Sequence, residues 1–362
     1  MHRLVKTSSR PTGGALNFAD TLPFDLASNN NPFGASPNAL RAARAQLHHV
    51  NEYRFQNDDI LRTCLIKNFQ NCLQPDQIIT GNGSTEILDL ICRAFLSPGD
   101  ECITCTPAWR RYRDSANLAG AAALEVPLDP MEFAPDTDGI LRAVTERTRL
   151  IFLASPNNPT GTVISRLRMD RLIAALPPQV IVVFDEVFHH YNVRLDSARA
   201  LDYILLGFPV IALHTFSAAY GLAGLRLGYA FSTPGLTRNL QKLRRPFMIN
   251  SISHAAAIAA LDDMDHLKRG IRAVIRERNW LCNSLADLGL RFVNSQANFI
   301  LIHSPQPTAI LADQLLKKGI IVRLGEPFGA NGYIRVSVGK RMANKAFIAA
   351  MNGILRPPPA RL

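Results

Sequence analysis

Short apolar runs separated by polar, glycine- and proline-rich turns fill most of the chain. Gln77–Thr80, Glu101–Thr104, Leu150–Ala154 and Pro209–Leu213 are aliphatic and too short for helices, so they predict buried strands. Gln179 to Phe188 is a longer β-branched run that passes through Asp185-Glu186, and predicts a central strand buried on both faces. Between these runs the spacing changes. Ile87 to Leu96 has helical periodicity, Ser36-Pro37 opens a helix with proline in its first turn, and residues 233–290 are helix-rich, with one long segment from Ala255 to Leu288. Further on, Ile300–Ile302 and Gly319–Arg323 are apolar again. Tyr333 to Gly339 alternates, which puts Arg335 on one face of a strand. Strands alternating with helices predict an α/β fold.

Length adds a domain expectation. The 362 residues and 47% hydrophobic content suit one large domain and one smaller one. The expected division is an N-terminal arm over 1–30, a large domain over 31–245 and a small C-terminal domain over 246–362. No run of about 18 apolar residues predicts a membrane-spanning helix. Met1 to Lys6 lacks the apolar stretch of a signal peptide, so the expected location is cytoplasmic. Six cysteines in a chain this long do not predict a disulfide framework, and the Cys102–Cys105 pair reads as ordinary buried thiols, with no metal expected. The net charge of +11 favours anionic partners. Its basic residues are spread out apart from small clusters at Arg110–Arg113 and Lys242–Arg245. Small anionic molecules are therefore expected rather than nucleic acid. No internal repeat is visible, and the one biased tract is the proline-rich tail from Arg356 to Pro359.

Candidate chemistry clusters at the ends of the expected strands. Gly81-Asn82-Gly83-Ser84-Thr85-Glu86 turns into a helix N-terminus, which presents free N–H groups and the positive dipole end to a phosphate. Its spacing is not that of a nucleotide-binding loop. Ser84 or Thr85 as a plain helix cap is compatible with that role. Trp109 follows a strand and offers a flat surface for a ring. Asp185 lies towards the carboxyl end of a central strand, where ligands bind in open α/β sheets. Asn157-Asn158-Pro159-Thr160-Gly161 and Asp25 to Pro37 read as loops. Gly221 and Gly224 fit a loop that turns tightly beside a ligand.

The run His214-Thr215-Phe216-Ser217-Ala218-Ala219-Tyr220-Gly221-Leu222-Ala223-Gly224-Leu225-Arg226-Leu227-Gly228 resembles the lysine loop of the fold-type I pyridoxal-phosphate aminotransferases, especially their histidinol-phosphate branch. The other motifs occur in that family's order, including Pro246-Phe247-Met248-Ile249-Asn250 ahead of the long helix. The resemblance implies a mainly parallel seven-stranded sheet between helices and a small C-terminal α/β domain. It implies pyridoxal 5′-phosphate held by Gly83, Ser84, Thr85, Thr215, Ser217 and Arg226, its ring covered by Trp109. Asn158 would meet the ring hydroxyl and Asp185 the ring nitrogen. Tyr53 would reach the phosphate of the partner subunit in a homodimer. Arg335, with Arg323 and Asn31, would bind the anionic end of an amino-acid or amino-phosphate substrate and its keto-acid co-substrate.

Two positions depart from the pattern. Ala218 stands where the family has its Schiff-base lysine, and Phe188 stands where it usually has tyrosine, with His189 and Tyr191 as the nearby polar alternatives. Alanine neither forms a Schiff base nor carries a proton, so the chain is expected to bind without turning over. Two origins fit Ala218: a Lys→Ala change in a working aminotransferase, or a natural relative that lost transamination. The intact surroundings favour the first. The alternatives in activity are a decarboxylase resembling threonine-phosphate decarboxylase and a non-catalytic ligand-binding relative. Residues 1–24 lack the tyrosine that the histidinol-phosphate enzymes usually carry there, which leaves other biosynthetic amino acids open as substrates.

Overall fold

The computed structural model describes residues 24–54 and 58–356. Most of the expected N-terminal arm and the end of the proline-rich tail lie outside the described residues. In chain order the strands are β1 (Phe24–Asp25), β2 (Ile78–Gly81), β3 (Glu101–Thr106), β4 (Ala122–Pro127), β5 (Thr148–Ala154), β6 (Ile181–Asp185), β7 (Val210–Thr215), β8 (Gly228–Phe231), β9 (Phe299–His303), β10 (Ile320–Ile321), β11 (Arg323–Leu324) and β12 (Tyr333–Ser337). Seven of them form one sheet in the order β2-β8-β7-β6-β5-β3-β4. The pairs from β4 through to β7 are parallel, and β8 runs antiparallel to both neighbours. This is the mainly parallel seven-stranded sheet that the resemblance implied, and helices cover both its faces.

Alternation along each strand sets what faces which layer. On β6, Ile181 and Val183 join the core under the helix Gly83–Phe95, while Val182 and Phe184 join the larger core on the opposite side. Asp185 therefore falls on the first face. On β7, Ile211 and Leu213 share that face, and Val210 and Ala212 the other, which sends Thr215 and His214 to opposite sides. Each fully buried large side chain, such as Phe152 or Phe184, contributes about 1.5–3 kcal/mol. Cys102 and Cys105 also lie in different cores, and burial pushes both thiols up to about 12.

A second sheet, β11-β12-β9, is antiparallel and belongs to the C-terminal part. The N-terminal segment joins it from a distance. β1 pairs in parallel with β10, and Ser337 N–H donates to Leu26 O at 2.7 Å. The expected long helix from Ala255 is two helices, Ser251–Asp262 and Met264–Asp287. Asp263 breaks it by leaving helical geometry and capping the second helix, its carboxylate accepting from His266 N–H at 3.3 Å. Ser36 caps the helix Pro37–Gln46 as the sequence suggested. No helix among the described residues is long and apolar enough to cross a membrane.

Candidate active site

A cavity of about 400 Å³ opens at the carboxyl ends of β5, β6 and β7. Ala154, Asp185 and Thr215 form its floor. Ser84, Thr85, Ser217, Ala218 and Arg226 line one part, Trp109, Tyr112, Asn158 and Phe188 the middle, and Arg323, Phe328, Arg335 and the segment Ala27–Asn30 complete the wall. Residues far apart in sequence meet because parallel strands end together at this edge.

Asp185 is 2% exposed. Its Oδ2 accepts from the Tyr112 hydroxyl at 2.7 Å and its Oδ1 from Val187 N–H at 3.1 Å. Burial pushes its carboxyl up to about 6, against the opposing pull of those two donors. No cation pairs with it among the described residues. Tyr112 stacks on Phe152, with ring centroids 5.3 Å apart and planes 11° apart, and meets Trp109 edge-on at 5.5 Å. The phenol is thus fixed before any ligand arrives. Tyr112 escaped the sequence reading because it lies in the basic run Arg110–Arg113. Its only signal there is its place one helical turn after Trp109.

The helix beside the cavity starts at Gly83, so the cap is Asn82, and Ser84 and Thr85 are first-turn residues rather than caps. Glu86 accepts from Asn82 N–H at 2.6 Å. The backbones here are packed to contact. A Cβ on Gly228 would lie 2.3 Å from Ser84 N, and one on Gly83 would lie 2.5 Å from Arg226 Nη2. Arg226 takes the left-handed conformation, φ 53°, and donates to Ser217 Oγ at 3.2 Å and Ala223 O at 3.0 Å. Thr215 Oγ1 accepts from Ser217 N–H at 3.0 Å. Gly221 earns its place, since a Cβ would meet Gly34 O at 2.5 Å, whereas Gly224 faces open space and the tight turn falls on Arg226 instead.

At Arg335 the wall is different. This guanidinium is 5% exposed and donates to Asn158 Oδ1 and Ala27 O, each at 2.6 Å. Phe299 and Phe328 lie under it at 5.3 and 5.0 Å, and its Nε has no partner among the described residues. Arg323 stands directly opposite across β11 and β12. Burial and the neighbouring Arg323 push Arg335 down to about 9, so it stays protonated at neutral pH. Arg62, Arg111, Arg244 and Arg341 pair with carboxylates, but Arg226, Arg323 and Arg335 form no ion pair among the described residues. Three unpaired guanidiniums in one cavity call for anions.

Not every expected residue reaches the cavity. Asn31 lies just past the wall, its amide donating to Ala219 O at 2.8 Å and so bracing the loop that carries Ala218. Tyr53, expected at the partner subunit's phosphate rather than in its own chain's cavity, is 87% exposed and lies against Phe247 with centroids 4.9 Å apart. Gly83 contributes backbone beside Arg226 rather than lining. His189 and Tyr191 do not line the cavity either, so neither replaces the hydroxyl absent at Phe188, whose ring packs edge-on to Phe299 at 5.0 Å.

The residues present suit a flat, phosphorylated, cationic ring. The buried unpaired carboxylate of Asp185 fits a ring nitrogen that carries a proton, and Asn158, its oxygen already taken by Arg335, keeps its amide N–H for a ring oxygen. The glycine-cleared turn at Ser84 with Arg226 fits a phosphate. No lysine among the described residues lines the cavity.

Comparison with known proteins agrees with this arrangement. The profile of aminotransferase class I and II matches residues 23–351. The chain is similar to the histidinol-phosphate aminotransferase of Methylobacillus flagellatus, 38% identical over 331 residues that cover 91% of this chain and 88% of that protein. It is similar also to the histidinol-phosphate aminotransferase of Moorella thermoacetica, 36% identical over 331 residues covering 91% of this chain and 85% of that one. The crystal structure of histidinol-phosphate aminotransferase from Sinorhizobium meliloti in complex with pyridoxal-5′-phosphate shares the fold with a TM-score of 0.85 at 27% identity, covering 92% of this chain and 91% of that one. With a match that runs through all three sheets and every wall of the cavity, the chain belongs to the aminotransferase class I and II family.

Proposed function

We propose that this chain binds pyridoxal 5′-phosphate and an anionic amino substrate in the cavity, as an aminotransferase of the histidinol-phosphate type whose turnover is lost at Ala218. The observation that carries this is Asp185. It is a buried carboxylate without a cationic partner, held by Tyr112 in a cavity that also contains three unpaired arginines.

Pyridoxal phosphate, when bound, supplies an electron sink for the pair released at the substrate's α-carbon. Asp185 holds a proton on the ring nitrogen and keeps that sink effective. Trp109 covers the ring face, and Asn158 donates to its oxygen. Ser84, Thr85, Thr215, Ser217 and Arg226 receive the phosphate with hydroxyls, backbone N–H groups and a guanidinium. Arg335, with Arg323 opposite, takes the substrate's carboxylate or phosphate. The hydroxyl that Phe188 lacks leaves Asn158 as the ring oxygen's donor. Ala218 offers no amine to carry a proton between substrate and cofactor, so binding persists and transfer stops.

A homodimer and a cytoplasmic location belong to the same proposal. The exposed Leu47, Val50, Tyr53 and Phe247 support the first, since the described residues of one chain leave them uncovered.

The test is to dialyse the chain against pyridoxal phosphate, follow the retained cofactor by absorbance, and repeat with Ala218→Lys. The parent should retain the cofactor and transfer nothing. The lysine variant should transfer an amino group from an amino phosphate or amino acid to a keto acid, as expected of a Lys→Ala change in a working enzyme. Carbon dioxide release without need of a keto acid would establish the decarboxylase reading instead. Absence of retained cofactor in both forms would overturn the proposal.

A further inference from the structure

On the face of the sheet opposite Asp185, six aromatic side chains close a ring. His189 lies 3.9 Å from His190 and 4.3 Å from His214, between ring centroids. His190 meets Tyr220 edge-on at 5.3 Å, Tyr220 meets Phe216 at 4.9 Å, Phe216 meets Tyr229 at 5.5 Å, and Tyr229 returns to His214 at 5.1 Å. A hydrogen-bonded chain crosses this ring. Glu186 Oε2 lies 3.0 Å from His214 Nε2, and His214 Nδ1 lies 3.1 Å from the Tyr229 hydroxyl. Glu186 Oε1 accepts from Ala200 N–H at 3.0 Å. When Glu186 is ionised its carboxylate only accepts, which puts the proton on Nε2 and leaves the tyrosine hydroxyl to donate to Nδ1. Every polar atom of the chain is then satisfied within a buried site.

The placement of these residues follows the cofactor cavity position by position. Glu186 follows Asp185, His214 precedes Thr215, and Tyr229 follows Gly228, whose missing Cβ admits Ser84. Phe216 and Tyr220 bracket Ser217, Ala218 and Ala219. The ring thus grips the rear of the three strand ends and the loop whose front lines the cavity. None of these six rings lines the cavity itself. Tilted and edge-on neutral rings give broad contact with few rotamers, which suits a rigid support.

We propose that His214 and Tyr229, with Glu186 and the aromatic ring, are positioning residues that seat the Phe216–Gly221 loop and so fix Thr215, Ser217 and position 218 against the phosphate end of the cavity. The seat is a property of the protein alone. Its consequence for the cofactor rests on the functional reading above.

Hydrogen–deuterium exchange on the full chain, with and without pyridoxal phosphate, tests both parts. Tyr229→Phe removes one hydroxyl and keeps the ring, while His214→Phe also breaks the bond to Glu186. Tyr203→Phe is the matched control, since it deletes a tyrosine–carboxylate bond to Asp170 elsewhere. Exchange at 215–221 should quicken about tenfold in His214→Phe and less in Tyr229→Phe, while the helix Arg341–Leu355 keeps its protection. Cofactor affinity should weaken in the same order, and Tyr203→Phe should change neither. Unchanged exchange at 215–221 in Tyr229→Phe, or a uniform rise across the chain with cofactor affinity unaltered, would overturn the proposal. If His214→Phe does not fold, Tyr229→Phe decides alone. If the parent retains no cofactor but the loop exchange still rises selectively, the seat stands and the cofactor reading fails.

Discussion

Asp185 and Glu186 are neighbours at the end of one strand, and they have been put to different uses. Both are buried, at 2% and 6% exposure, and burial pushes both carboxyls up, to about 6 and about 7. Glu186 is closed on all sides. One oxygen holds His214 and the other holds Ala200 N–H, within a ring of aromatic side chains. Asp185 is held by Tyr112 and Val187 N–H but still faces an open cavity. Burying a charge is expensive unless it is paired. At Glu186 the fold supplies the partners itself. At Asp185 it leaves the requirement for a cation unmet, and an unmet requirement at a cavity wall is what a ligand can answer.

The strongest way to break this contrast is Asp185→Asn. Cofactor retention should fall by about 100-fold, roughly 3 kcal/mol, because the ring nitrogen loses its anion. The melting temperature of the cofactor-free chain should not fall, because an unpaired buried charge has been removed. A drop in stability as large as the drop in affinity would place Asp185 with Glu186 as a structural acid. Glu186→Gln should do the reverse. Its unfolding free energy in a denaturant titration should fall by about 1–3 kcal/mol, since the amide cannot accept from both His214 and Ala200, while cofactor affinity changes less than in Asp185→Asn.

The smallest effect concerns pH. Burial lowers His189 to about 4 and His214 to about 3, and holds His190 well below its usual value. Below 6.5 the unfolded chain takes protons that the folded chain refuses, so stability is lost as pH falls from 6.5 towards 4. Asp185 and Glu186 work the other way. Their folded values are raised, so their contribution is present at low pH and lost as pH rises through about 6 and about 7. Replacing both His189 and His190 by Phe should therefore reduce the acid-side loss of stability relative to the parent, measured by thermal melts across that window. An equal loss in both proteins would show that these histidines protonate without cost.

Much of this contrast is legible in the amino-acid sequence. A β-branched run passing into Asp185-Glu186 predicts a buried strand with acids at its carboxyl end, and strand alternation assigns neighbours to opposite faces. The glycine turn at Gly83 suggested a phosphate cradle by its own chemistry, and the Ser217–Arg226 loop did so through its resemblance to the family's lysine loop. What stayed hidden depends on contacts between residues distant in sequence. Tyr112 reaches Asp185 across 73 positions, and nothing in Arg110–Arg113 advertises a phenol aimed inward. Asn31 looked like a ligand contact, but its amide is taken by Ala219 O on a loop 188 positions away. The aromatic ring was invisible for the same reason, since His214 joins His189 and His190 only when two parallel strands end side by side. Local rules also misjudged one boundary. The helical pattern through Asp262-Asp263 continues in composition, while the aspartate's preference for capping ends one helix and starts another.

The lacing of β1 onto β10 sets the order in which the protein can become competent. Ala27 O receives Arg335, Asn29 receives Ser337 and Asn298, and Leu26 O receives Ser337 N–H. One wall of the cavity is therefore assembled from the early and late parts of the described chain. On a ribosome, the central sheet can pair as its strands emerge, but the segment at Ala27 must wait until Arg335 and Ser337 have been made and released. A nascent chain halted after β8 would carry Asp185, Thr215 and Arg226 with nothing to close the substrate side. On the function proposed above, ligand recognition is then among the last properties acquired during synthesis, since Arg335 meets Ala27 only in a nearly completed molecule.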